Sequence, residues 1–391
     1  MASTEPRTVF LAFIAILVVV IIILLGICWK VFKPNLMRKL MRPRSPASEV
    51  PEYFSGNMSG NLRTITYFDY ATLKKATRDF NQKNQLGRGG FGPVYLGKLD
   101  DGRKVAVKQL SVGKSGQGES EFFVEVNMIT SIQHKNLVRL VGCCSEGSQR
   151  LLVYEFMKNK SLDKILFGGD GAPFLNWKTR HQIIIGIARG LQYLHEESNL
   201  RIVHRDIKAS NILLDDKFQP KISDFGLARF FPEDQTYLST AFAGTLGYTA
   251  PEYAIRGELT VKADTYSFGV LVLEIISSRK NTDLSLPNEM QYLPEHADGF
   301  DEKEVQQVCQ IALLCVQPYP NLRPAMSEVV PMLTMKSDQS IPAPMKPAFL
   351  DRKSLKDKNG TSDTAMEMRS YWLNTPSPMV DDRPYDMSCG I

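Results

Sequence analysis

The chain has 391 residues, of which 43% are hydrophobic and 23% are charged, and its formal net charge is +5 at pH 7. These fractions are ordinary for a folded domain, and the length predicts one large two-lobed unit with flanking segments or two to three smaller domains. Because 47 basic residues are nearly balanced by 42 acidic ones, the composition argues against nucleic-acid binding, which requires a concentrated basic face.

The first predicted element is an uncharged run at residues 9–29 that is rich in Ile, Leu and Val. A helix of about 21 residues, rising ~1.5 Å per residue, crosses a hydrocarbon core of ~30 Å. A cleaved signal peptide is the alternative, but its apolar region is usually only about 7–15 residues long and no A-x-A-like site follows the run. We interpret residues 9–29 as a transmembrane helix.

The charges around this run predict its orientation. Six basic residues follow the run before the first acidic one, Glu49, whereas only Arg7, opposed by Glu5, precedes it. The positive-inside rule then places residues 1–8 outside the plasma membrane and the rest in the cytosol. Residues 30–67 form a basic juxtamembrane linker that we expect to bind anionic lipids. With so short an exterior, ligand sensing is expected to come from a receptor or co-receptor partner.

A glycine-rich motif follows the linker. Gly87, Gly89, Gly92 and Val94 fit the pattern G-x-G-x-x-G-x-V, in which glycine lets the backbone approach triphosphate oxygens and donate N–H groups to them. The same fingerprint occurs in dinucleotide-binding folds, where a helix follows it. Here β-forming residues follow Val94, which favours the hairpin of a kinase.

Two further residues are expected to complete the nucleotide site. Lys108 ends the alternating strand pattern that begins at Val105, and this pattern directs its ammonium group at the α- and β-phosphates of ATP. Glu125 lies in an amphipathic run and is assigned as the helical residue that ion-pairs with Lys108. Glu121, one turn earlier, is the alternative.

The most specific motif is a His-Arg-Asp run that ends at Asp206 and is followed at the correct distance by Asn211. In the pattern H-R-D-x-x-x-x-N, the aspartate accepts the proton of the substrate hydroxyl and the asparagine binds Mg²⁺. Asp224 of Asp-Phe-Gly is expected to bind the Mg²⁺ that bridges the ATP phosphates. Glu252 ends the Ala-Pro-Glu run that closes the activation segment.

In this order and spacing, the motifs resemble those of the eukaryotic protein kinase superfamily. The runs at 68–80, 86–95 and 244–253 are similar to those of plant receptor-like serine/threonine kinases of the Pelle-related group. The resemblance covers residues 68–335, about two-thirds of the chain. It implies an α+β, two-lobed kinase fold with a β-rich N-lobe and a helical C-lobe, and it implies ATP, Mg²⁺ and protein substrates.

The resemblance also implies roles outside these motifs. Lys208 would act beside the catalytic aspartate as in serine/threonine kinases, and Thr245 would pack against both. A buried ion pair would join Glu252 to Arg323, and Asp264 would support the catalytic loop. Tyr154 would be the gatekeeper, followed by an adenine-binding hinge from Glu155 to Met157 that acts through backbone groups. The expected nucleotide contacts are Leu86, Gly87, Gly89, Gly92, Val94, Ala106, Lys108, Glu155 and Met157.

Arg205, which precedes the catalytic aspartate, is a cation that a phosphorylated residue would complement. We predict that phosphorylation of Thr240 or Ser239 orders the activation segment. The candidate acceptors in this region are Thr236, Tyr237, Ser239, Thr240 and Thr245.

Three further features of the C-terminal half concern its fold. A C-lobe segment that related kinases contain is missing near residue 297, between residues 281 and 301. Pro331 falls in the predicted last helix, residues 325–335, where it costs about 3 kcal/mol, so we expect a kink or a later start. Residues 336–391 are polar and Pro-rich, and we predict a disordered tail.

The cysteines do not have the spacing of a metal site, and we expect reduced, mostly buried thiols in a cytosolic domain. They are Cys28, Cys143, Cys144, Cys309, Cys315 and Cys389.

The sequence leaves two functions open. The first is a membrane-anchored serine/threonine kinase in receptor-proximal signalling. The second is a kinase-fold scaffold whose activity is impaired by the missing C-lobe segment. Because Lys108, Asp206, Asn211 and Asp224 are all retained, the enzyme is favoured.

Overall fold

The computed structural model describes residues 65–89, 92–110, 117–168, 175–232, 235–241, 243–281, 303–335 and 341–345. The predicted membrane run at 9–29, most of the linker at 30–67 and the region around residue 297 lie outside these ranges. In the described ranges, no helix combines the length and the apolar content that crossing a bilayer requires.

A six-stranded sheet forms the first lobe. Its strands are β1 (Thr66–Tyr67), β2 (Gln85–Gly89), β3 (Gly92–Lys98), β4 (Lys104–Gln109), β5 (Leu140–Glu146) and β6 (Gln149–Glu155). They lie in the order β1-β5-β6-β4-β3-β2. In β4, Val105 and Val107 are buried while Ala106 between them is half-buried, as the two-residue period of a strand requires.

The residues before the glycine-rich hairpin add a strand and a helix to this lobe. β1 pairs in parallel with β5, with Thr66 opposite Gly142. A Cβ on Gly142 would lie 2.1 Å from the Thr66 carbonyl oxygen, so only glycine permits this approach. α1 (Tyr70–Ala76) begins after Asp69, whose carboxylate accepts an N–H of the first turn, and Leu73 is fully buried in the core of the lobe. Residues 66–76 are therefore part of the packed first lobe.

α2 (Gln117–Thr130) packs against the sheet through one face. Phe122, Val126 and Ile129 are buried, and their spacing is that of a single apolar stripe on a helix. Glu125 lies on the same face and is 1% exposed. The periodicity of the sequence thus directs this carboxylate inward, toward the sheet.

Helices form the second lobe. They are α3 (Leu162–Leu166), α4 (Trp177–Gln192), α5 (Pro251–Arg256), α6 (Val261–Ser277), α7 (Lys303–Cys315) and α8 (Met326–Thr334). α6 is buried along its length from Ala263 to Ile276, and its buried polar residues, such as Asp264 and Glu274, are hydrogen-bonded, as burial of polar groups requires. A Cβ on Gly269 would lie 2.8 Å from the Ala312 carbonyl oxygen, so this glycine permits the close crossing of α6 and α7.

Short antiparallel strand pairs hold the loops that contain the catalytic motifs. The strands are β7 (Ile202–Val203), β8 (Ile212–Leu214), β9 (Pro220–Ile222), β10 (Arg229–Phe230), β11 (Leu238–Ser239) and β12 (Glu258–Leu259). The pairs are β7 with β10, β8 with β9, and β11 with β12. Residues 204–211 lie between β7 and β8, and Asp224 follows β9.

The last helix begins where the sequence places it and tolerates its proline. Glu328 accepts the Ala325 N–H at 2.6 Å and so satisfies a donor at the helix start. Pro331 is exposed, and its carbonyl accepts the Met335 N–H at 2.9 Å. The helix therefore neither begins later than predicted nor stops at the proline.

One part of the tail departs from the expected disorder. Ile341–Met345 lie against α7 and the residues just after it, where the Gln310 and Gln317 side chains donate to main-chain carbonyls of the segment. The rest of residues 336–391 lies outside the described ranges.

Candidate active site

An ion-pair network joins the two lobes at the nucleotide site. β4 places Lys108 opposite Val94 of the glycine-rich hairpin. Lys108 Nζ lies 2.9 Å from Glu125 Oε2 and 2.7 Å from Asp224 Oδ1. The ion pair inferred between Lys108 and Glu125 is therefore present. The side chain of Glu121, the alternative, lies outside the described part of the chain.

The surroundings of this network favour the charged forms of Lys108 and Asp224, whereas burial raises the pKa of Glu125. Burial by itself would lower the pKa of Lys108, but the carboxylates of Glu125 and Asp224 raise it above the ordinary value. Burial likewise opposes ionisation of Asp224, yet the nearby ammonium holds the pKa of this carboxyl below its usual range. Lys108 is thus a fixed cation at the place where phosphates are expected.

The expected gatekeeper, Tyr154, makes a contact that the sequence did not predict. The hydroxyl of Tyr154 donates a hydrogen bond to Glu125 Oε1. Tyr154 is opposite Ala106 in the pairing of β4 with β6, which brings its ring to the same side of the lobe as α2. Tyr154 therefore helps to fix the carboxylate that orients Lys108.

The other residues expected at the nucleotide differ in exposure. Leu86 is 44% exposed, whereas Met157 is 7% exposed. Gly89 pairs with Gly92 at the end of the hairpin. Gly92 has φ 138°, and a Cβ there would lie 1.9 Å from the Gln109 carbonyl oxygen, so glycine is required at that position.

The Glu155 carboxylate lies 3.0 Å from Lys221 Nζ, which leaves its main chain as the group for the expected hinge contact.

A second cluster surrounds Asp206 in the catalytic loop. Its Oδ2 lies 2.7 Å from Lys208 Nζ and accepts from Asn211 Nδ2 at 2.9 Å. Its Oδ1 accepts from the Thr245 hydroxyl at 2.7 Å, and that hydroxyl in turn accepts from Lys208 Nζ at 2.8 Å. The lysine, threonine and aspartate therefore meet as the resemblance implies.

The position of Thr245 bears on its second predicted role. Because its hydroxyl is engaged by both Asp206 and Lys208, a phosphate on this oxygen would face the Asp206 carboxylate and repel it. The geometry favours a structural role for Thr245 over a regulatory one. Thr236 and Ser239, in contrast, are exposed, and Thr240 is half-buried.

The residues expected to bind a divalent cation offer suitable donors. Asn211 Nδ2 donates to the Asp206 main-chain oxygen at 2.8 Å as well as to its carboxylate, which leaves the amide oxygen as the atom that would bind a cation. Asp224 supplies a carboxylate. Carboxylate and amide oxygens are ligands that Mg²⁺ and Ca²⁺ prefer, so the residues present fit such an ion.

The catalytic loop is tied to α6 by a fully buried carboxylate. Asp264 accepts the main-chain N–H groups of His204 and Arg205 at 2.7 and 2.9 Å. His195 Nε2 lies 2.9 Å from the same carboxylate. Burial opposes its ionisation, but these partners lower the pKa of Asp264. His195 was not predicted, because a single histidine in a helical segment has many possible roles.

A buried ion pair anchors the end of the activation segment. Arg323 Nη1 and Nη2 each lie 2.7 Å from one oxygen of Glu252. Both residues are at most 4% exposed. This is the pair inferred from the resemblance, and its two parallel bonds fix the orientation as well as the distance.

A further carboxyl near the activation segment was not predicted. Glu274 on α6 accepts from the Tyr248 hydroxyl and from the Asn281 N–H, each at 2.7 Å. Burial raises the pKa of Glu274 to about 7, although both hydrogen bonds act in the opposite direction. This carboxyl supports the turn that follows Thr245 and titrates near neutral pH.

The described cysteines, Cys143, Cys144, Cys309 and Cys315, are buried, as expected. Burial raises the pKa of the Cys143 and Cys315 thiols to about 12 and that of Cys144 to about 11. They therefore remain protonated thiols of low reactivity. Cys28 and Cys389 lie outside the described ranges.

Known proteins are similar to this chain in sequence. The family described as protein tyrosine and serine/threonine kinase matches residues 80–333. Among relatives from Arabidopsis thaliana, a probable LRR receptor-like serine/threonine-protein kinase is 50% identical over 78% of this chain and 31% of its own length. Cysteine-rich receptor-like protein kinase 2 is 42% identical over 89% of this chain and 56% of its own length.

Cold-responsive protein kinase 1 of the same plant is 50% identical over 71% of this chain and 76% of its own length. The chain thus spans about a third to just over half the length of the receptor-like relatives named above and most of the shorter one. The chain belongs to the protein tyrosine and serine/threonine kinase family, with a kinase domain whose relatives are named as plant receptor-like serine/threonine kinases.

Proposed function

We propose that this chain is an ATP-dependent protein serine/threonine kinase that transfers the γ-phosphate of ATP to Ser and Thr hydroxyls. The observation that supports this most strongly is the cluster around Asp206. Its carboxylate is oriented by Lys208, Asn211 and Thr245, as required of a base that accepts a hydroxyl proton in a fixed direction.

The proposed mechanism depends on positioning and charge neutralisation rather than on a covalent intermediate. Asp206 binds the acceptor hydroxyl and takes its proton. Lys208, 2.7 Å from that carboxylate, offsets negative charge as the phosphoryl group approaches. Lys108, held by Glu125, binds the α- and β-phosphates.

Asn211 and Asp224 are the residues proposed to hold Mg²⁺, which when bound neutralises phosphate charge. The glycine-rich hairpin would cover the phosphates through its N–H groups. Leu86, Val94, Ala106 and Met157 would enclose the adenine, with the main chain of Glu155 at the hinge.

We further propose that the kinase domain is cytosolic and anchored in the plasma membrane by residues 9–29. This rests on the length of that run and on the basic residues that follow it, and the names of the relatives agree with it. The basic linker would contact anionic lipids, and a receptor or co-receptor would supply ligand sensing in receptor-proximal signalling. Recovery of the full chain in the soluble fraction of its cells would contradict the anchor.

The alternative is a scaffold with impaired activity. Only the segment missing near residue 297 supports it, and that region lies outside the described ranges. The intact clusters around Lys108 and Asp206 favour the enzyme.

A phosphate-transfer assay on the purified full chain in detergent tests the proposal. The assay contains ATP, Mg²⁺ and a basic protein acceptor, with Asp206→Asn as the inactive variant. Asp216→Asn, at an exposed position in the same region, is the matched control. We expect phosphoserine and phosphothreonine from the wild type and the control, and a rate lower by about 10²–10⁴ for Asp206→Asn. Wild-type transfer no faster than that of Asp206→Asn would favour the scaffold.

A further inference from the structure

The described part of the tail, Ile341–Met345, lies along α7 and is bound by two glutamine side chains. Gln310 Nε2 donates to the carbonyl oxygens of Ile341 and of the next residue at 3.0 and 2.9 Å. Gln317 Nε2 donates to the carbonyl oxygen of Met345 at 2.9 Å. Because these contacts are made to main-chain carbonyls, they recognise the path of the backbone rather than particular side chains.

The two glutamines contact opposite ends of the segment. Gln310 lies in α7, and Gln317 lies two residues beyond the end of that helix at Cys315. The carbonyls of Ile341 and Met345 are four residues apart, or roughly 12 Å in a chain extended as in polyproline II. The two prolines of the segment favour extension, because each restricts its own φ and the conformation of the residue before it.

Burial distinguishes the residues of this segment. Pro344 is buried, Ile341 and Met345 are half-buried, and Pro342 and Ala343 are exposed. Proline has no N–H, so burying Pro344 leaves no backbone donor unsatisfied. The segment therefore contacts the lobe through one apolar residue and through carbonyls that receive hydrogen bonds.

Gln317 connects the segment to the end of the activation segment. It is 1% exposed, and its Nε2 also donates to the Leu313 carbonyl at 2.9 Å, so two acceptors fix the orientation of its amide. Its own carbonyl accepts from Arg323 Nε at 2.8 Å, and Arg323 holds Glu252. A continuous series of contacts therefore joins Met345 to Glu252.

We propose that the surface formed by Gln310 of α7 and by Gln317, just beyond the end of that helix, is a binding site for an extended peptide of the type x-Pro-x-Pro-x. The chain's own Ile341–Met345 occupies this site, and the docked segment holds Gln317 and Arg323 in the position that anchors Glu252. This assigns the tail a part in supporting the activation segment, which goes beyond the proposed function and does not depend on it.

Hydrogen–deuterium exchange of the full chain in detergent tests this inference without measuring activity. Pro344→Asp places a charge in the buried position and is expected to expel the segment. Ala343→Asp places the same charge on the exposed neighbouring residue and serves as the control. We expect Pro344→Asp to raise exchange at residues 313–323 about threefold or more and to lower the Tm by about 2–4 °C, while Ala343→Asp leaves both unchanged.

If Pro344→Asp unfolds the lobe, a second pair of variants tests whether the docked segment stabilises residues 313–323. Gln310→Leu, at a half-buried position, removes the donor to the segment. Gln307→Leu on the same helix removes a comparable bond, at 3.0 Å, to the Met332 carbonyl and does not touch the segment. We expect faster exchange at residues 313–323 only in Gln310→Leu. Equal exchange in the two members of either pair of folded variants would overturn the proposal.

Discussion

The hydroxyl oxygen of Tyr253 accepts a hydrogen bond from Arg205 Nε at 2.9 Å, and the Tyr253 ring centroid lies 5.5 Å from the guanidinium carbon. Arg205 also donates to the carbonyl oxygens of Leu227 and Ala241 at 3.2 and 3.1 Å. These acceptors are all neutral, so a phosphate brought to this guanidinium would form stronger, charge-assisted bonds.

Thr240 is the residue best placed to bring such a phosphate. Its hydroxyl and Arg205 both bond to the Ala241 carbonyl oxygen, at 3.5 and 3.1 Å. Ser239 is instead opposite Glu258 in the pairing of β11 with β12, where a carboxylate would repel a phosphate. We expect Thr240→Ala to lower kcat/KM by about tenfold or more and Ser239→Ala to leave it unchanged.

Steady-state kinetics combined with mass-spectrometric mapping of phosphosites checks that Thr240, rather than Ser239, controls activity. Full activity in a Ser239→Ala, Thr240→Ala double variant would show that neither residue controls the activation segment.

Removal of the Thr245 hydroxyl should slow the chemical step. In Thr245→Val, both Asp206 Oδ1 and Lys208 lose a hydrogen-bond partner, so the orientation of the base is relaxed. We expect kcat to fall about tenfold or more, while the KM for ATP stays near that of the wild type. Thr245→Ser, which keeps the hydroxyl, should restore kcat. Comparable kcat values for the valine and serine variants would exclude this positioning role.

Glu274 should make stability depend on pH near neutrality. Burial raises its pKa to about 7 in the folded protein, whereas an unfolded glutamate titrates near ~4.3. Between these values the folded protein keeps a proton that the unfolded chain has lost. The free energy of unfolding therefore falls as pH rises through this window, by at most about 4 kcal/mol in total.

Urea unfolding at several pH values between about 4.5 and 7.5 measures this dependence. Glutamine does not ionise, so in Glu274→Gln the free energy of unfolding should no longer fall with pH through the titration of this side chain. Glu197→Gln, at an exposed position, should keep it. If the two variants gave the same slope, Glu274 would not be the titrating group.

The helix before the glycine-rich hairpin should contribute to the stability of the N-lobe. Leu73 is fully buried among Val105, Val107 and Leu151, so Leu73→Ala is expected to lower the free energy of unfolding by about 2–5 kcal/mol. Lys74→Ala, on the exposed face of the same helix, should change it by less than about 0.5 kcal/mol. Chemical denaturation of the two variants checks this, and equal effects would place the helix outside the cooperative unit.

Much of the fold follows from the sequence because long periodic segments have few alternatives. From the sequence alone, the long periodic runs at 179–197 and 262–278 indicate helices. They correspond to α4 with the π-helical turn Tyr193–Glu197, and to α6. The β-forming runs at 105–109 and 151–156 indicate strands and correspond to β4 and β6. β1 was not predicted, because two residues paired with a distant strand leave no local pattern.

The sequence by itself determined which side chains are available for chemistry, because phosphoryl transfer needs particular groups at short, fixed spacings, as at Asp206 and Asn211. Only the tertiary structure decided which distant groups meet, such as Lys108 with Asp224, 116 positions apart, and Tyr154 with Glu125. Only the tertiary structure showed that Glu274 titrates near neutrality. Such contacts and pKa shifts depend on burial and on long-range packing, which the local order of residues does not specify.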